Sequence, residues 1–324
     1  MPDSKPTLPT GTSPGEAAVF HPARRPGGLG RLTELLDRED VLGYLLVTPV
    51  IIIVLGLLGY PFILALALSF TDKEIGNPAH FVGLKNFAQL IQDSIYRQTV
   101  RNTLVYTIGS EALKVPIGFA LALVLNERLV LRKAIRAVVL LPWIVPAVLS
   151  AMAWSWMFNP NFSILNYLIV HLGIAKTGLN WLTDPGTAMF SVILVNAWRG
   201  SPFFGIILLA ALQSIPADLY EATSVDGAGR WMRFWHVTLP LVMPILAIAL
   251  LLSTISTFSD FNIVYTITGG GPVNATHVLA TLSYTEAIGA GRLGEGAAIS
   301  LTMFPVLLIL LFFEIRWLNR RLAE

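Results

Sequence analysis

The sequence predicts an all-α polytopic membrane protein with six transmembrane helices. Of its 324 residues, 54% are apolar and only 13% charged, whereas soluble domains carry roughly 25% charged residues. The apolar residues gather in six separate runs, and a helix needs about 20 of them to cross the ~30 Å hydrocarbon core. The basic residues are shared unevenly between the two faces that those runs define. In water such a chain would expose far too much hydrocarbon, which excludes a soluble enzyme. The net charge of +2, with no basic tract, excludes a nucleic-acid binder. The absence of cysteine removes disulfides, thiol catalysis and cysteine-ligated metals.

Residues 1–40 carry six prolines among glycines and scattered charges, and read as a disordered tail whose end, 33–40, has the length of a short interfacial helix. The first span, 41–70, is uncharged throughout, and it starts too late and runs too long for a cleavable signal. Five more follow at 102–126, 137–158, 186–213, 237–259 and 296–313. Together they make 41–318 one membrane domain, with 319–324 as a short tail. The second span holds Glu111 and Lys114, three residues apart on one helical face, where opposite charges neutralise each other. Prolines cluster in Pro142/Pro146 and Pro240/Pro244. Each removes a backbone donor, and lipid tolerates that only where protein or a water-filled path satisfies the freed carbonyl. A channel or transporter therefore fits better than an inert anchor.

Between spans four and five, Pro216-Ala-Asp-Leu-Tyr-Glu221 has helix-start signals, an early proline and acids in the first turn, and Gly227 and Gly229 end the helix after about two turns. This short polar helix within 214–240 is a lever for a soluble partner. Around it stand Glu221, Ala222, Asp226, Gly227, Ala228, Phe234, Val237, Leu239 and Pro240. That pattern resembles the EAA coupling loop of inner-membrane permeases of bacterial ABC importers, with Thr223 in place of the usual second alanine and Val237 in place of isoleucine. Phe81-Val82-Gly83-Leu84-Lys85-Asn86-Phe87, Trp198-Arg199-Gly200-Ser201-Pro202-Phe203 and Thr268-Gly269-Gly270-Gly271-Pro272 are similar to segments of the carbohydrate branch, the maltose, glycerol-phosphate and multiple-sugar permeases.

The resemblance implies the type I ABC importer permease (MetI-like) fold in a bacterial inner membrane. It implies import of a sugar or polyol by alternating access. The expected partners are a second homologous permease subunit, two cytoplasmic ATP-binding subunits that carry ATP and Mg, and a periplasmic or lipid-anchored solute-binding protein meeting loops 71–101 and 260–295. This chain itself would hold no cofactor and do no catalysis. Tyr220, Glu221, Ala222, Val225, Asp226, Gly227 and Ala228 would dock the ATPase, with Glu221 as the ion-pairing residue and Gly227 allowing the turn. Family sugar positions fall on Trp143, Ala147, Gly200, Phe203, Thr257 and Asp260. Trp143 can stack on a sugar ring, and Thr257 and Asp260 can bind hydroxyls. Arg199, the charge within span four, pairs with Asp260, bonds carbonyls freed beside Pro202, or meets an anionic ligand. The five dispersed histidines show no metal spacing, and no nucleotide-binding motif is present.

Two other classes compete with this reading. A secondary transporter or channel would need coupling-ion residues or inverted repeats; an intramembrane enzyme would need a catalytic cluster, for which Glu111 and Asp260 are the candidate acids.

Counting Lys and Arg in the short flanks gives thirteen on the face of the N-terminus and six on the other. The positive-inside rule then predicts both termini and loops 127–136 and 214–236 to be cytoplasmic. The cysteine-free sequence makes a direct test simple. On intact cells, a membrane-impermeant maleimide is expected to label Lys176→Cys and to leave Lys133→Cys unlabelled until the membrane is opened.

Overall fold

The protein's structure, a computed structural model, describes residues 39–127, 130–225 and 227–323. The expected tail at 1–38 and the expected docking residue Asp226 lie outside the described residues. Two units divide between Tyr60 and Pro61. In the first, α1 (Glu39–Val54) passes into a wider π turn at Leu55–Gly59. Pro61 follows two residues later; a proline lacks the N–H and clashes with the carbonyl four residues back, and a widened turn relieves both problems. Helix continues through α2 (Tyr60–Ser69), and Leu42–Ser69 is long and apolar enough to cross a membrane.

The second unit continues with α3 (Lys85–Gln92), α4 (Ser94–Asn126), α5 (Arg132–Ile144), α6 (Ala147–Met157), α7 (Ile164–His171) and α8 (Pro185–Gln213). After these come α9 (Ala217–Val225), α10 (Arg230–Arg233) with a π turn at Phe234–Thr238, and α11 (Leu239–Phe258). The chain closes with α12 (Asn262–Thr268), α13 (Leu279–Tyr284) with a π turn at Thr285–Gly289, and α14 (Leu293–Ala323). An isolated antiparallel bridge joins Thr71 and Phe81. Beside it the Asn86 side chain donates to the carbonyls of Ser69 and Thr71, each at 2.8 Å, closing the end of α2. The backbone N–H of His80, 2.7 Å from Asp72, holds that carboxyl below its usual range.

Among the described residues five helices are long and apolar enough to span a membrane, and a sixth is counted only if α5 and α6 act as one. The third span expected at 137–158 falls on these two helices. α5 and α6 meet at Val145–Pro146 with a bend of 91°. Pro146 keeps the preceding residue out of the helical region, and Val145 is accordingly extended at φ −62°, ψ 134°. With 13 and 11 residues, the halves reach about 20 and 16 Å, short of a bilayer.

Two helices, α4 and α14, outrun their apolar runs. α4 begins at Ser94, where the Asp93 carboxylate accepts from the Ile95 N–H at 2.9 Å. Its 33 residues extend about 50 Å, longer than the ~30 Å hydrocarbon core requires, and its first turns carry Arg97 and Arg101. α14 likewise carries Arg316 and Arg320 in its last turns.

Two apolar clusters hold the bundle at opposite ends of α4 and α8. One centres on Tyr106, Phe158, Trp181 and Val192; the other on Phe119, Phe204, Leu208 and Val242. A third, with Leu90, Phe258, Leu279 and Ile299, fastens α14 to α3, α11 and α13. Between the first two clusters both helices turn polar, through Thr107, Ser110, Glu111 and Lys114 on α4 and Asn196, Arg199 and Ser201 on α8.

α4 and α8 pack closely because small residues face each other. A Cβ on Gly118 would lie 2.3 Å from the Phe204 Cβ and 3.0 Å from the Ser201 carbonyl. Neither neighbour is a flexible chain end, so any side chain there separates the helices. Gly118→Val is expected to destabilise the purified protein by about 1–3 kcal/mol, the usual cost of overpacking, read as a lower midpoint in detergent thermal unfolding.

Candidate functional site

Between the two apolar clusters lies a cavity of about 490 Å³. Its walls come from α4, the α5–α6 break, α8 and the end of α11. All seven expected substrate residues, Trp143, Ala147, Arg199, Gly200, Phe203, Thr257 and Asp260, line it. Trp143 and Ala147 arrive from the two sides of the break, which turns both toward the same space. Trp143 stacks on Phe203 with ring centroids 6.2 Å apart and planes at 28°, and it remains 48% exposed. One aromatic face is thus available to a ligand.

Sequence reasoning missed the second half of this lining. Lys114, Asn196, Ser253, Ser256 and Ser259 also face the cavity. The hydroxyls carried a readable signal: Ser253, Ser256, Thr257 and Asp260 recur at spacings of three and four, one stripe of α11 and its C-terminal end. Asn196 is a single polar residue in an apolar helix and carries no such pattern.

Lys114 and Glu111 pair at 3.0 Å, their side chains 4% and 9% exposed. The ammonium also donates to Thr257 at 2.6 Å and Ser253 at 3.3 Å, which uses all three of its donors. Ser253 and Thr257 in turn donate to the same Glu111 Oε1 at 2.8 and 2.9 Å. Four side chains from α4 and α11 therefore close on one another. Gly200 leaves them room, since a Cβ there would stand 2.6 Å from the Lys114 Cε. The Thr257 hydroxyl reaches the cavity wall already committed to this network.

Asp260 belongs to a separate group. Its Oδ2 accepts from the Tyr106 hydroxyl at 2.7 Å and the Asn196 amide at 3.0 Å, and its Oδ1 accepts from the Ile263 N–H at 3.3 Å, capping α12. Among the described residues Arg199 forms no ion pair with Asp260, and its Nε is buried without a hydrogen-bond partner. Glu111 and Asp260 thus sit in two different networks, each with its own partners, and do not form a catalytic pair of acids.

The expected docking helix is α9. Glu221, Ala222 and Val225 are exposed on it, Val225 to 88%, and Glu221 makes no ion pair among the described residues. Tyr220 is half-buried with its hydroxyl 3.1 Å from that of Thr238, and Arg233 donates to Ser224 at 3.0 Å. Gly227 stands at φ +77°, with Gly227 N–H on the Ser224 carbonyl and Ala228 N–H on the Thr223 carbonyl. This is a Schellman ending, whose left-handed residue favours glycine.

A bundle of membrane-length helices around a polar cavity, with a short exposed helix between two of the cavity-lining helices, defines a membrane permease. Residues 114–324 match the family described as "Binding-protein-dependent transport system inner membrane component", and the chain belongs to it. It is accordingly an ABC transporter permease, a transport component and not an enzyme. The chain is 37% identical over 277 residues to the trehalose/maltose transport system permease of Thermococcus litoralis, covering 85% of this chain and 93% of that one. It is 33% identical over 281 residues to the sulfoquinovosyl glycerol transport system permease of Agrobacterium fabrum, covering 86% and 91%. A solved bacterial ABC transporter involved in import of the acidic polysaccharide alginate matches with a TM-score of 0.75 at 27% identity, over 90% of this chain and 99% of that chain.

Removing one partner of a buried pair strands the other charge, at about 3–5 kcal/mol, whereas replacing both with apolar groups is often near neutral. Lys114→Met is therefore expected to lower stability sharply, and Lys114→Met/Glu111→Leu to recover most of the loss. A double-mutant cycle on thermal unfolding in detergent reads both.

Proposed function

We propose that this permease carries a sugar or polyol inward across a bacterial cytoplasmic membrane, its two termini on the cytoplasmic side. The carrying observation is the cavity itself. It combines an aromatic stack, a hydroxyl stripe and an amide–carboxylate pair at mid-depth of the bundle, the mixture that a ring with one apolar face and many hydroxyls requires. Its volume, about 490 Å³, lies within the usual range for small-molecule pockets. The relatives named for trehalose and maltose and for sulfoquinovosyl glycerol, and the alginate importer, support the same substrate class.

In this reading a solute-binding protein delivers the ligand to the outer loops, and a second related permease completes the pathway. A solved complex of the alginate transporter with its alginate-bound periplasmic protein supports the first of these partners. Two ATPase subunits hold ATP and Mg and grip α9 through Glu221, with Tyr220, Ala222, Val225, Asp226, Gly227 and Ala228 shaping the contact. Their closure moves α9, and the helices on either side of it turn the cavity from one face to the other, an alternation driven by differential binding to two states.

Reconstitution of the whole transporter with its binding protein tests both ends of the chain. Glu221→Arg is expected to abolish ATP-driven uptake and to release the ATPase on purification, with unchanged thermal stability of the permease; intact coupling would remove α9 from the docking role. Trp143→Ala should keep the ATPase bound but slow uptake about tenfold, the worth of one aromatic contact. Unchanged uptake would remove the cavity from the sugar path.

A further inference from the structure

A second, larger hollow of about 840 Å³ opens beside the docking helix. Its floor is apolar, from Val115, Phe119 and Leu123 of α4 and Leu239 and Leu246 of α11. An aromatic wall rises over it. Phe234 meets Phe119 edge-on at 5.2 Å and Trp235 at 5.3 Å, and Trp231 stands 6.3 Å away. Trp231 and Trp235 are 77% and 56% exposed, as are ring systems that rest in the headgroup layer. Arg230 and Arg233 stand at the same rim. Among the described residues neither forms an ion pair with a carboxylate, although Glu127 lines the same hollow.

We propose that this hollow is a binding site for one anionic phospholipid, its acyl chain along α4 and α11 and its phosphate on Arg230 and Arg233. The two parts of the hollow select the occupant together. A long apolar floor suits a hydrocarbon chain and not a free ion, while two guanidinium groups that pair with no carboxylate among the described residues suit a phosphate with a net negative headgroup better than a zwitterion. The site also has a direct connection to function. Arg233 holds Ser224 of α9 at 3.0 Å, and Tyr220, which lines the hollow, reaches Thr238 at 3.1 Å. A lipid seated on Arg233 therefore steadies the base of the docking helix. The proposal requires a membrane but not the orientation or the substrate proposed above, so its failure would leave those untouched.

The test uses the full-length chain extracted from bilayers of equal phosphatidylethanolamine and phosphatidylglycerol, washed stepwise in mild detergent, with retained lipid measured by mass spectrometry. The unaltered protein is expected to keep phosphatidylglycerol preferentially. Arg230→Gln/Arg233→Gln should reduce that preference about tenfold, equivalent to one charge-assisted hydrogen bond. Leu123→Trp, which fills the floor at a position already 40% exposed, should release the lipid while both arginines remain. Equal retention of the two lipids by the unaltered protein, or an undiminished preference in the double arginine variant, would overturn the site. Phosphatidylglycerol retained by Leu123→Trp would show a phosphate bound without its chain, and would overturn the lipid assignment.

Discussion

A charge pair inside a membrane must be closed by its own protein, and the Lys114–Glu111 pair is closed by two hydroxyls from another helix. The lysine's three donors and the carboxylate's Oε1 are all engaged within α4 and α11. The carboxylate's Oε2 is buried without a hydrogen-bond partner, so Oε1 alone closes the pair onto α11. That constraint fixes the rotation of α11, which brings Ser256, Thr257 and Asp260 to the cavity. It also demands a glycine on α8 at position 200, which draws the third wall close. The cavity is in this sense what remains when the ion pair is satisfied and the helices around it are packed.

Two of the cavity walls, α8 and α11, also connect the site to α9. α8 runs from Asn196–Phe203 at the cavity to Gln213, and α9 begins four residues later. α10 and α11 return from there to Ser253 and Asp260. α9 is thus the bend of a hairpin whose arms are two cavity walls. About ten to twelve residues of helix separate bend and cavity on the α8 side, roughly 15–18 Å. Between the two apolar clusters the walls are joined by polar networks, Lys114–Glu111 with Ser253 and Thr257, and Asp260 with Tyr106 and Asn196.

Much of this was legible beforehand for definite physical reasons. Spans four, five and six are predominantly apolar because lipid requires it, and their ends fell within a few residues of the apolar limits except where charged turns continue the helix. Glu111 and Lys114 announced their pairing by spacing, and Gly227 announced its turn by being the residue that most readily enters the left-handed region. Six of the cavity residues were named through resemblance to a family and Arg199 as the charge within span four, and all seven line one cavity. The break at Val145–Pro146 was not legible in its extent: proline signals a kink, while a bend of 91° depends on what the two halves pack against. Asn196 and Tyr106 were also missed, since neither acquires meaning until Asp260 is placed between them.

By itself, then, the sequence determined the solvent, the number of apolar runs, the bias of basic residues between two faces and the local stops and turns. Each follows from short-range chemistry: hydrophobicity, charge, and the backbone limits of proline and glycine. Tertiary structure alone decided which polar side chains share a partner, that Thr257 is spent on the ion pair while Asp260 is held by a tyrosine and an asparagine, and that Arg199 stays unpaired with it. Those outcomes turn on distances of about 3 Å between residues up to 154 positions apart. Helix periodicity gives the face of each helix, and only packing gives the face it meets.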